Sequence, residues 1–134
     1  MEAMEKSNLV LAKVLDLAMQ NGISHWRLTF NDLHLDAQEY DGFFYPCIEW
    51  LEAEGLIRVG EYARDLGGIA DGEVHNISLT SRGMALLGQT IDVNGQNEKL
   101  SETVKKVSEG RVDYHRIGDA VGGILGGFTK SMGF

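Results

Sequence analysis

At 134 residues, 43% hydrophobic and 24% charged, the chain has the length and composition of one ordinary soluble domain with an appendage. A single cysteine, Cys47, excludes an internal disulfide and suits a reducing compartment. No apolar run approaches the roughly 20 residues that span a bilayer. The start, MEAMEKSNLV, lacks the basic-then-apolar order of a signal peptide, so a cytoplasmic location is expected. The formal net charge of −8 is uneven: residues 1–96 hold 6 Lys/Arg against 15 Asp/Glu, and residues 97–134 hold 6 against 5. The shift falls near DVNGQNE, a polar stretch with turn-forming Asn and Gly. The sequence therefore divides into a domain over 1–91, a linker over 92–98 and a helical, glycine-rich tail over 99–134.

In chain order, Val10, Leu11, Val14, Leu15 and Ala18 recur at helical intervals, and Asn21-Gly22 supplies a stop. In HWRLTF, Trp26, Leu28 and Phe30 alternate with polar neighbours as in a half-buried strand. NDLHLDAQ reads as one or two helical turns. YPCIEWLEAEG predicts a helix with Pro46 in its first turn, with Cys47, Ile48 and Leu51 on one side and Gly55 as its end. LIRVGEY (56–62) and VHNISL (74–79) are strand candidates around the glycine-rich loop ARDLGGIADGE. TSRGMALLG comes next as a helix with Thr80 or Ser81 as N-cap and Met84 and Leu87 as apolar contacts. EKLSETVKKVSE sets Leu100, Val104 and Val107 on a narrow stripe that needs a partner to be stable, and Gly110 breaks it.

The order of elements, together with WLEAEGLIRVG and ISLTSRGMALL, resembles the winged-helix superfamily over about residues 5–90. The matching positions are Glu54, Gly55, Leu56 and Ile57 entering the first wing strand, and Leu79, Thr80 and Gly83 leaving the second. The resemblance implies a mostly α fold with a small β-hairpin wing, here followed by the C-terminal helical extension. It also implies DNA binding, with the helix before the wing in the major groove.

The residues themselves argue against duplex recognition. Between Arg27 and Arg58 there is no Lys or Arg, while Asp32, Asp36, Glu39, Asp41, Glu49, Glu52 and Glu54 fall in that interval. Phosphate contacts need cations or neutral donors. A DNA-binding regulator, the alternative reading, has to assemble its surface from Arg27, Arg58, Arg64 and Arg82. The carboxylates are read first as a solvated helix face. Their sharper reading is a docking surface for a basic protein partner, in which Glu49, Glu52 and Glu54 act with Tyr45 and Trp50. Those two belong to an aromatic cluster with Tyr40, Phe43 and Phe44, of which two or three residues are expected in the core.

Chemistry-bearing motifs are scarce. His25, His34, His75 and His115 lack metal-ligand spacing, so no metal and no cofactor are expected. Cys47 sits on an apolar helix face and reads as a core residue before a nucleophile. GGILGGFTKS is similar to a phosphate loop, but Phe128 and Thr129 displace Lys130 from Gly127 and no strand precedes it. The chain is read as a non-enzyme.

In DAVGGILGGF, Gly118, Gly122 and Gly126 fall at i, i+4 and i+8, beside an apolar face that includes Val121, Leu125 and Phe128. Such spacing lets helix backbones approach closely. The expected role of Gly118, Val121, Gly122, Leu125, Gly126 and Phe128 is self-association into a homo-oligomer. Docking on the chain's own domain, shallow insertion at a membrane surface and a disordered glycine-rich tail are the alternatives, and the scarcity of flanking basic residues, only Arg116 and Lys130, weakens the membrane case.

Overall fold

The computed structural model describes residues 2–112 together with Gly118 and Ala120. Helix α1 (Ala3–Asn21) buries Val10, Leu11, Val14, Leu15 and Ala18. It ends where the Gly22 N–H returns to the Ala18 carbonyl at 3.0 Å, with Gly22 at φ 62°. A β-branched or long side chain is strained there, whereas glycine is not. Strand β1 (Arg27–Leu28) is shorter than the alternation in HWRLTF predicts. Phe30 is buried, but it opens a 3₁₀ turn over Phe30–Leu33, whose entry is fixed by the Thr29 N–H donating to Asp32 Oδ2 at 2.8 Å. The short helix α2 (Ala37–Tyr40) and a second 3₁₀ turn over Asp41–Phe43 lead into α3 (Phe44–Ala53).

Helix α3 sends Phe44, Tyr45, Cys47, Ile48 and Leu51 inward. Phe44 meets Phe30 edge to face at 5.8 Å between ring centroids, an arrangement favoured beyond the area it buries. Each expected wing strand is split. The first gives β2 (Ile57–Arg58) and β3 (Glu61–Arg64); the second gives β4 (Gly72–His75) and β5 (Ser78–Leu79). The break lies where Asn76 takes φ 55° and its N–H crosses to the Trp26 carbonyl at 2.9 Å. That bond ties the start of β1 to the turn between β4 and β5. All pairs are antiparallel: β1, β4 and β3 form one sheet, β2 and β5 a second.

Helix α4 (Ser81–Leu87) is capped by Thr80, whose Oγ1 accepts from the Gly83 N–H at 2.9 Å and donates to the Gly55 carbonyl at 2.6 Å. Its buried apolar contacts are Leu86 and Leu87, while Met84 is exposed. The expectation for Met84 therefore fails, because the helix turns its Leu86 side to the core.

The stretch expected as a linker, 92–98, is paired. Strands β6 (Thr90–Val93) and β7 (Gln96–Lys99) form a two-stranded hairpin. Asn94 and Gly95 sit at its tip with φ 53° and 84°, the geometry that Asn-Gly hairpin turns adopt. The Leu100 N–H closes the hairpin base on the Gln89 carbonyl at 2.8 Å. Helix α5 (Leu100–Ser108) then lays Leu100, Val104 and Val107 into the same core as α1. Each fully buried side chain of this kind stabilises by about 1.5–3 kcal/mol. The partner that the narrow α5 stripe requires is α1. Among the described residues the architecture is mixed α/β, with seven short strands in three small antiparallel sheets.

Candidate interaction surface

Helix α3 is joined to β3 and the β3–β4 loop by three of the residues that the sequence marks as partner contacts, Glu49, Glu52 and Tyr45. The Tyr62 hydroxyl donates to Glu52 Oε1 at 2.9 Å. Burial, reinforced by that carboxylate, raises the Tyr62 pKa above its ordinary value. Arg64 lies 3.6 Å from Glu49 Oε1 and stacks over the Tyr45 ring at 4.1 Å. Tyr45 is 1% exposed, and its hydroxyl donates to the Asp71 carbonyl at 2.9 Å. Tyr45 is therefore a core residue and not an exposed contact, because α3 faces the β3–β4 loop at that position. Three of the five clustered aromatics, Tyr40, Phe44 and Tyr45, are buried. Phe43 and Trp50 are half-buried. Glu52 is half-buried, and Glu49 and Glu54 are exposed.

The four arginines are dispersed. Arg27 pairs with Glu73 at 3.4 Å and Arg64 with Glu49. Arg58 is exposed, and Arg82 is half-buried with its stem near Gly55. His75 lies between Glu73, at 3.1 Å, and Glu61, at 3.7 Å. Arg27 and Arg64 thus sit against carboxylates, which lowers the field these two could offer to phosphates.

Behind α3 a groove of about 360 Å³ opens between α1 and α3, lined by Met4, Leu11, Phe43, Pro46, Cys47 and Trp50. The Cys47 thiol points to the Ser7 carbonyl at 3.7 Å. Desolvation pushes its pKa up to about 12, so it carries almost no thiolate near neutrality and lacks the activation a nucleophilic cysteine needs. Gly118 borders this groove. It is helical, and its N–H donates to Asn8 Oδ1 at 3.0 Å. Ala120 packs against the core.

Val121, Gly122, Leu125, Gly126 and Phe128 lie outside the described residues. Asn8, which no sequence motif singles out, is 2% exposed. The signal that could have found it is a polar residue one turn before Leu11 on the apolar face of α1. Among the described residues no three His, Cys, Asp or Glu side chains are grouped to hold a metal ion. Nor is any helix among them long and apolar enough to cross a membrane. No protein-family model matches the chain, and comparison with curated proteins and with solved structures returns no match to it.

Proposed function

We propose that this chain is a non-enzymatic module of winged-helix type whose α3 and wing surface takes a protein partner in place of duplex DNA. The succession α1, β1, α2, α3 and a strand pair leading to α4 supports the winged-helix comparison. The observation that carries the choice of partner is the charge on α3. Its exposed side bears Glu49, with Glu54 at its C-cap and no cation on the helix, and the nearest arginine, Arg64, is held by Glu49. Such a surface repels phosphates and suits a basic segment. A lysine-rich peptide tests the reading. Binding is expected to weaken with added salt and to disappear in the double variant Glu49→Lys, Glu54→Lys. Equal binding by both proteins contradicts it.

A second reading makes the partner another copy of the chain, joined through Gly118, Gly122 and Gly126. It rests on the i, i+4, i+8 spacing of those glycines in the sequence, which lets two helix backbones approach closely. Light scattering over a range of concentrations tests it: a mass that stays monomeric throughout removes it.

A further inference from the structure

The groove between α1 and α3 is bordered at one edge by Gly118, and from Gly118 the chain runs on into its glycine-rich segment. We propose that the groove is the docking site of this chain's own residues 121–128, held in cis through the Gly118–Asn8 contact, so that groove and segment mask one another. The inference rests on the interaction-module reading only for what the groove is for, not for what fills it.

Position is the first support. The Gly118 N–H is bonded to Asn8, Gly118 borders the groove and Ala120 already packs on the core. Gly118 therefore holds the chain at the mouth of the groove, three residues before Val121 in sequence.

Chemistry is the second. The residues lining the groove carry no charge. Between Asp119 and Lys130 the chain carries none either, and it supplies Val121, Ile124, Leu125 and Phe128. An apolar trough and an apolar segment both lose water-exposed surface by meeting. The half-exposed rings of Phe43 and Trp50 are the surface with most to gain.

Close approach is the third. A Cβ on Gly118 would lie 3.2 Å from Asn8 Oδ1 and 4.0 Å from both Leu11 Cδ1 and Met4 Cε. Glycine there lets the backbone reach the buried Asn8 amide. Helical spacing would put Gly122 and Gly126 on the face of Gly118, and Gly118 is turned to Asn8 of α1. The stripe then serves contact within the chain.

Tethering decides between this occupant and a second copy. A segment that starts at the rim of its site competes at an effective concentration in the millimolar range, far above that of another chain in dilute solution. A partner presenting an apolar helix to this groove has to displace the segment first.

The test uses the full-length chain and its lone thiol. Cys47 lines the groove, so its rate of labelling by a maleimide reads whether the groove is covered. Trp50 emission, in a Trp26→Phe background, reads the same surface independently. Leu125→Asp and Gly118→Leu are each expected to raise the labelling rate by about tenfold or more, the loss of protection that opening a closed cover gives. They are also expected to shift Trp50 emission to the red. Wild-type protection is expected to be the same at every protein concentration, with a monomeric mass. An unchanged circular dichroism spectrum separates undocking from unfolding. If a variant loses that spectrum, Phe128→Asp, at a position outside the described core, takes its place. Labelling and emission that remain at wild-type values in folded variants overturn the proposal. Protection that grows with protein concentration together with a dimeric mass overturns it in favour of a second copy. Protection that appears only on adding vesicles of anionic phospholipid overturns it in favour of a membrane surface.

Discussion

Ser108 Oγ donates to Asp16 Oδ2 at 2.8 Å, joining the last turn of α5 to the middle of α1 across 92 residues of sequence. Both residues are buried, with Asp16 at 7% and Ser108 at 6% exposure. A carboxylate withdrawn from water depends on such donors. Without them it bears the desolvation penalty uncompensated.

Ser108→Ala is therefore expected to destabilise the fold by about 1–3 kcal/mol, more than the loss of one hydroxyl at the surface. Thermal unfolding measures it, and a change of a few degrees in Tm is expected for a protein of this size. A melting curve identical to wild type would mean that the carboxylate is satisfied without the hydroxyl.

Gly83 tests the junction between α4 and the β2–β5 strand pair that follows α3. A Cβ added there collides with the backbone carbonyl of Leu56. That carbonyl has little room to retreat, since it accepts the Thr80 N–H at 3.0 Å. Gly83→Ala is expected to destabilise by about 1–3 kcal/mol, the usual effect of overpacking, despite the higher helix propensity of alanine. Gly42→Ala is the control, with nothing within 4 Å of its added Cβ. Chemical denaturation of the two variants should separate them clearly.

The same junction shows what could be read from sequence. Helices α1, α3 and α5 were legible because apolar side chains repeat at helical spacing, and Val10, Val14, Ile48, Leu51, Leu100 and Val104 are all fully buried. The Thr80–Gly83 cap was legible as local chemistry. The β6–β7 hairpin was not read as one, although Asn94-Gly95 is a strong turn signal. Its strands are mostly exposed, so no alternation of apolar and polar residues announced them. Tyr45 was misplaced for a different reason. Its burial depends on Arg64, at the end of β3, and on Asp71, in the β3–β4 loop 26 residues away. The groove was invisible because it needs two helices side by side.

Glu98 links the hairpin to α5. It accepts from the Lys106 ammonium and from the Thr103 hydroxyl. The Lys106 bond, then the Thr103 bond, hold its carboxyl below the ordinary value of 4.5. A depressed folded-state pKa contributes stability above the unfolded value and loses it as pH falls through the folded one. The wild type should thus lose this contribution below about pH 4.5, while Glu98→Gln should show a flatter acid limb and lower stability at neutral pH. Melting temperatures at several pH values check it. The effect should shrink with salt, because Lys106 is partly exposed.

Whether the surface of α3 and strands β2–β5 meets protein or nucleic acid is the central question for this chain. Fluorescence anisotropy of a labelled random-sequence duplex, titrated with the full-length chain at about 0.15 M salt, measures this directly. With Arg27 and Arg64 paired to carboxylates and α3 without cations, no saturable binding is predicted even at protein concentrations on the order of 10⁻⁴ M, the weak end of non-specific DNA affinity. Submicromolar binding that falls steeply with salt and is lost on replacing Arg58 and Arg82 would contradict it.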